Sequence, residues 1–525
     1  MELTEKNTEI SRNRVRATIL LCSFVLAKFL LQYHLVHPKY ELHRDEFLHL
    51  DQGRHLAWGF QSVPPVTSWV SEIIRWLGNS EFWVRFFPAM FGALTLIVVW
   101  KIVETLYGDL FACILACTGL LFSVLLRINI LYQPNSLDIL CWVTVYYLFI
   151  KYLDQQQPRW IFGLAVVFAL GFLNKYNIIF LVLGLIPATL LTPQREIWKR
   201  KEVYAAGLLA LVLVSPHLGW QIRNDFPFYV HLKELAARHL VHVNRWDFLV
   251  NQLYFFIGSL PVWVAGLAAL VFYPPFRKYR LFLGSFFFTL LIFVFFKAKD
   301  YYAIGLYPLY IALGSVFISN TCKEGWKRVF KWVLLILPLL FFGIMYQVVF
   351  PNRSPEYIVN NGEKYRKFGM LRWEDGKEYH LPQDFADMLG WKELASKVDG
   401  MYRQIAHSGS TLVLCDNYGQ AGAINYYSEE EVKAVSLHAD YIDWIDLSIP
   451  YKNVIRVVER KDKIAEWTKL SPHFKVVLSD SLGHAYAREH GAGIFGFIDA
   501  QLDVNEVLKG EILERKAARR LANRP

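Results

Sequence analysis

The chain has 525 residues, 54% of them hydrophobic and 16% aromatic, and only 19% charged; its mean hydropathy is +0.26. Soluble domains carry about 25% charged residues, so this composition excludes an ordinary soluble protein and predicts a polytopic α-helical membrane protein. The net charge of +10 does not point to nucleic acid, because Lys and Arg cluster in short loops between apolar stretches, as a cytoplasmic charge bias requires.

In chain order, Arg12, Arg14 and Arg16 precede the first apolar stretch, 17–36. No small-residue cleavage site follows before Pro38, so this stretch is expected to stay as a first helix and not to be removed as a signal peptide. Next comes His43-Arg44-Asp45-Glu46, followed by Asp51, His55 and Val63-Pro64-Pro65. Acids in a polar loop need no explanation beyond solubility. Asp45, however, falls within a few turns of the first helix end, at headgroup depth, where a carboxylate can take a proton from a hydroxyl or amine.

Further apolar stretches are expected at 82–103, 109–127, 136–153, 160–174, 177–192, 203–221, 247–272, 281–297, 301–319 and 332–350, for about 11 transmembrane helices in all. Arg85 lies just inside the second stretch, where it either pairs with Glu81 or joins a cationic site. Gln133-Pro134-Asn135-Ser136-Leu137-Asp138 opens the fourth. Asn135 or Ser136 fits an N-cap and Asp138 a first-turn acid favoured by the helix dipole, yet a carboxylate at the rim of an apolar helix also wants a partner.

The run 160–191 is too long for one helix, and Asn174-Lys175-Tyr176-Asn177 interrupts it. A turn there spares Lys175 several kcal/mol of burial in hydrocarbon. Lys297-Ala298-Lys299-Asp300-Tyr301-Tyr302 follows the ninth stretch. Lysines at helix ends commonly snorkel. Lys175, Lys299, Tyr301 and Tyr302 also suit a phosphate headgroup, as ammonium and hydroxyl donors. His231, His239 and His242 are too raggedly spaced for a helical metal pair, and the six cysteines show neither disulfide nor metal spacing. No cofactor is expected, although the acids leave room for a divalent metal.

Beyond residue 350 the composition changes. Strand-like runs at 411–415, 432–436, 454–458, 475–478 and 494–498 alternate with helical stretches, which predicts a C-terminal soluble α/β domain over 351–525 behind a membrane domain over 1–350. Asp416-Asn417-Tyr418-Gly419-Gln420-Ala421-Gly422 has the look of a phosphate-binding turn, but its glycine spacing fits a tight helix-packing turn better. The basic run 514–524 is expected to be a solvated helix end. Loop charges place the N-terminus in the cytoplasm, and an odd number of helices then places 351–525 outside it.

Asp45-Glu46 after the first helix, WVRFFPAMFGAL in the second, QPNSLD before the fourth, FLNKYN at the break and KAKDYYAIGLYPLYIALG near the tenth together resemble, in this order over about 17–320, the bacterial branch of the protein O-mannosyltransferase superfamily. These are glycosyltransferases of the GT-C fold, and they include the lipid A aminoarabinose transferases. The resemblance implies a polyprenyl-phosphate sugar donor, an extracytoplasmic acceptor (protein, lipid or cell-envelope glycan), inversion at the anomeric carbon and residence in a bacterial inner membrane. It matches Asp45 to the first-loop catalytic acid, with Glu46 beside it, Asp138 to the second-loop acid, and Lys175 and Lys299 to recurrent lysines. Leu48-His49 stands where the aminoarabinose transferases have Arg-Tyr, and Val63 where they have Lys, which argues against aminoarabinose and lipid A. The competing class is a transporter or flippase of lipid-linked glycans, which should place its ionisable residues near the midplane and repeat its broken helices. The single break and the placement of the acids favour the enzyme.

Overall fold

A backbone in hydrocarbon must satisfy its hydrogen bonds within its own segment, so the apolar stretches become helices. The computed structural model describes residues 2–238, 244–430 and 432–522. Among them, six helices are long and apolar enough to cross a bilayer: Arg14–His34, Glu81–Thr105, Asn135–Gln155, Lys201–Arg223, Asp300–Thr321 and Gly325–Met345. Two bent pairs, Ile178–Leu190 with Pro193–Lys199 and Arg245–Tyr254 with Ile257–Phe272, raise the number to eight if each pair is one crossing. Leu110–Leu121, Pro158–Asn174 and Leu281–Phe295 are apolar but shorter. Every expected stretch is therefore helical and the protein is multi-pass, but these lengths and compositions support six to eight full crossings where the sequence suggested eleven. Leu208, Leu211 and Val212 lie more than half exposed on Lys201–Arg223, a cost in water that lipid removes.

The long apolar run breaks where expected. Helix Pro158–Asn174 ends as Lys175 turns to extended backbone, and a new helix begins at Ile178.

The chain forms two compact units. The first comprises Met1–Leu35, Phe82–Leu218 and Leu235–Phe350; the second comprises Val36–Glu81, Gly219–Glu234 and Pro351–Pro525. The division expected at residue 350 is thus a boundary, but the polar segment after the first helix, together with 219–234, belongs to the second unit. Its helix Arg44–Arg54 reads as a solvated loop, yet Glu46 to Gly53 are all buried.

The second unit holds a five-stranded sheet: β1 (Thr411–Cys415), β2 (Ala434–Ser436), β3 (Asn453–Val458), β4 (Phe474–Ser481) and β5 (Gly493–Ala500). Their order is β2-β1-β3-β5-β4. Strand β1 runs parallel to β2 and β3, and β5 runs antiparallel to β3 and β4. Leu412, Val454, Phe495 and Phe497 from the strands pack with Val504, Leu508 and Ile512 of helix Val504–Ala522, one apolar side of which recurs at helical spacing. All five expected strands are present. Helix Tyr418–Tyr427 carries the chain from β1 to β2, and its place governs the site below.

Candidate active site

The first-loop acids divide into one buried and one reachable carboxylate. His43 caps helix Arg44–Arg54 by accepting the Asp45 N–H at 3.2 Å, and the Glu46 carboxylate reaches back to accept the His43 N–H at 2.6 Å. This is a capping box, and it leaves Glu46 only 1% exposed. The Asp45 side chain is 36% exposed. Its Oδ1 accepts the Tyr418 hydroxyl at 2.6 Å, across 373 residues of sequence. Burial works against its charge, but His43, Arg44 and the Tyr418 hydroxyl outweigh it, and the carboxyl is held below its ordinary range.

The remainder of that helix is held in the same way. Asp51 accepts from Asn425 and from Tyr441, each at 2.7 Å, and Gln52 donates to Asp440 at 2.8 Å. Burial pushes the Asp440 carboxyl up to about 6. The turn at 416–422 is filled by protein. Asn417 caps helix Tyr418–Tyr427 through the Gln420 N–H at 3.0 Å, and Asp416 takes the Glu459 N–H at 2.7 Å and the Arg456 guanidinium. It is a packing turn, as its glycine spacing suggested.

In the first unit, the break at 174–177 meets the start of helix Asn135–Gln155. Asp138 lies in that helix's first turn and accepts from Asn177 at 2.8 Å and from the Trp142 indole at 3.1 Å. The N-cap is Pro134, with no side-chain cap. Asn135 instead accepts Lys175 Nζ at 2.7 Å, and Ser136 accepts Asn129 at 2.9 Å, so neither residue serves as the expected cap. The Lys175 ammonium sits 4.2 Å from the ring centroid of Tyr302 and 5.2 Å from that of Tyr301, within cation–π range. Lys299 stands near enough for its charge to act on Lys175 and Tyr302. Asp138, Lys175, Lys299, Tyr301 and Tyr302 are thus brought together.

Arg85 is half-buried on helix Glu81–Thr105 of the same unit. Glu81 itself belongs to the second unit, bound by Lys392 at 2.8 Å and the Tyr427 hydroxyl at 2.9 Å. Asp45 and Glu46 lie in the second unit as well. Among the described residues, no three His, Cys, Asp or Glu side chains converge as metal ligands would. His231 lines a cavity of about 250 Å³ with Trp220, Arg223 and Asp440; His239 and His242 lie outside the described residues.

One solved structure similar to this chain is ArnT from Cupriavidus metallidurans bound to undecaprenyl phosphate. The TM-score is 0.60 at 13% identity, over 93% of this chain and 99% of that one. The chain has the GT-C fold. Residues 62–220 match the family model described as dolichyl-phosphate-mannose-protein mannosyltransferase. The lipid A galacturonosyltransferase RgtD of Rhizobium johnstonii is 27% identical over 198 residues, which is 37% of this chain and 41% of RgtD. An uncharacterized protein of Aquifex aeolicus is 23% identical over 308 residues, 54% of this chain and 59% of its own length. The chain therefore spans about half the length of these two relatives. Within the GT-C fold, the residue that sequence reasoning passed over is Tyr418. The glycine pattern beside it signalled close packing, but nothing local pointed to Asp45.

Proposed function

We propose that this protein is an inverting glycosyltransferase that moves a sugar from a polyprenyl-phosphate donor to an extracytoplasmic acceptor, and that Asp45 is its general base. The main support is the unequal use of the two first-loop acids: Glu46 is spent on the helix cap, while Asp45 is partly exposed, held below its ordinary carboxyl range and oriented by a hydroxyl. Asp45 takes the proton from the acceptor's O–H or N–H as that atom attacks the anomeric carbon. The bond from that carbon to the phosphate oxygen breaks on the opposite face, which inverts the configuration. Polyprenyl phosphate leaves with its charge already spread over phosphate oxygens, so no protein acid has to protonate it. What the leaving group needs is cations and hydroxyl donors, a role assigned here to Lys175, Lys299, Tyr301, Tyr302 and Arg85. Asp138 has a supporting role, since it holds Asn177 at the break that presents Lys175.

ArnT's bound undecaprenyl phosphate and RgtD's galacturonosyl transfer to lipid A support a lipid-linked donor and an envelope acceptor. Neither relative supports a transporter. The bilayer is the bacterial inner membrane, with the N-terminus cytoplasmic and the second unit on the far side, by the loop-charge bias. The experiment is to incubate the purified protein with short-chain polyprenyl-phosphate sugars and envelope extracts. Time-dependent release of polyprenyl phosphate with a new glycoconjugate by mass spectrometry is expected. Transfer only from nucleotide sugars, or translocation of the lipid without transfer, contradicts the assignment.

A further inference from the structure

The C-terminal sheet domain touches the first-loop acid directly. Tyr418 is the first residue of helix Tyr418–Tyr427, just past the C-terminal end of β1. Open α/β sheets present their functional residues at that end. The helix lies flush on the first-loop helix because two glycines face it. A Cβ on Gly419 would come 3.2 Å from Arg44 Cβ, and one on Gly422 would come 2.6 Å from Phe47 Cβ and from the Tyr441 hydroxyl. The Tyr418 ring is fixed on two sides, by the Arg44 guanidinium 4.7 Å from its centroid and by a stacked His438 at 5.5 Å. With the ring held, its hydroxyl has one direction to point, and it meets Asp45 Oδ1 at 2.6 Å.

We propose that Tyr418 is a positioning residue for the transfer reaction, by which the C-terminal domain fixes the rotamer of Asp45 and so completes the site. This rests on Asp45 being the base. A hydroxyl donating to one carboxylate oxygen selects a single side-chain orientation, as a well-supported site requires. The Tyr418 hydroxyl is itself pushed up by burial and by Asp45, so it remains a donor throughout the working pH range. The groups that set the charge around Asp45 are His43, Arg44 and His49 on its own helix, with Tyr418, Asp387 and Glu489 from the segments packed on it.

Tyr418→Phe is the test, because it removes one oxygen and keeps the ring under Arg44 and His438. Turnover should fall roughly tenfold while KM for the donor stays within about twofold, since the bond acts on the base and not on donor binding. A hydrogen bond to the charged form favours that form, so losing it raises the carboxyl's pKa. The base must be ionised, so the acid limb of the kcat profile should move to higher pH. In the Asp45→Asn background Tyr418→Phe should add little, because both changes act through one group. Melting curves confirm folding of each variant. A Tyr418→Phe protein with wild-type kcat and an unmoved acid limb overturns the proposal, as does a tenfold loss that persists undiminished on top of Asp45→Asn. If Asp45→Asn itself retains activity, it is the assignment of the base that fails, and the two failures are thereby distinguished.

Discussion

At the scale of single residues, the Lys175 ammonium has no carboxylate hydrogen-bonded to it among the described residues, although the charge of Asp138 acts on it. The ammonium donates to the neutral Asn135 amide oxygen and faces the rings of Tyr301 and Tyr302, with Lys299 near enough for its charge to act on it. A snorkelling lysine would be expected to trail toward water. This one is instead folded back against two rings and an amide, an arrangement that leaves its charge available for an anion. Charge-assisted contacts of this type are worth about 1.5–3 kcal/mol, or roughly 10- to 100-fold in binding. Lys175→Ala should therefore raise KM for the donor by about that factor and lower kcat much less, with a modest loss of thermal stability from the broken Asn135 bond. Unchanged donor affinity in steady-state kinetics would reduce Lys175 to a helix-end residue. The break that presents it was legible in the sequence, since a lysine in the middle of a 160–191 apolar run cannot stay in hydrocarbon. Its partner Asn135 was visible too, but as a cap. Pro134 instead stands at the N-cap, with no side-chain cap, and the Asn135 side chain is taken up by Lys175.

At the scale of elements, the contact between helices Arg44–Arg54 and Tyr418–Tyr427 decides how Asp45 is presented. Phe47 enters a ring of Trp391, Tyr426 and Tyr427 at centroid distances of 5.7–5.8 Å, and Gly422 supplies the gap that lets it in. Helix propensity alone favours Ala over Gly by about 1 kcal/mol. Here sterics should win: Gly422→Ala is expected to destabilise the protein by about 1–3 kcal/mol, because Phe47 Cβ has nowhere to go, and to lower turnover by displacing Tyr418. Gly400, in helix Trp391–Ile405 with open space around its Cβ position, is the control, and Gly400→Ala should be neutral or stabilising. Thermal melting of both variants checks the sign. Local pattern reveals strands and apolar helices because each element's periodicity is written in its own residues, and all five strands were found that way. The first-loop helix was hidden because much of its burial is polar. Asp51 and Gln52 look like solvent-facing side chains until Asn425, Tyr441 and Asp440 arrive from almost 400 residues away to satisfy them.

At the scale of the whole molecule, the chain is two units in which sequence neighbours are not always partners. The segment between the first two apolar helices left the membrane unit and built itself into the C-terminal domain, taking Asp45 with it. The order of motifs along the chain announced the GT-C fold, whereas the allocation of the first loop to the second unit is a tertiary fact that no local signal carried. The orientation proposed for the protein has a simple test. Ser408 is exposed on a short turn of the second unit, and Ser408→Cys should react with a membrane-impermeant maleimide on intact spheroplasts; labelling only after lysis would reverse the topology. The most direct measurement of all is transfer from a synthetic polyprenyl-phosphate sugar by Asp45→Asn, which keeps the size of the side chain and the bond from Tyr418 but cannot take a proton. A positioned base contributes about 10²–10⁴ in rate, so turnover should fall by that factor with the melting temperature unchanged. A folded Asp45→Asn protein that keeps more than about a tenth of wild-type turnover would contradict the assignment of Asp45 as the base.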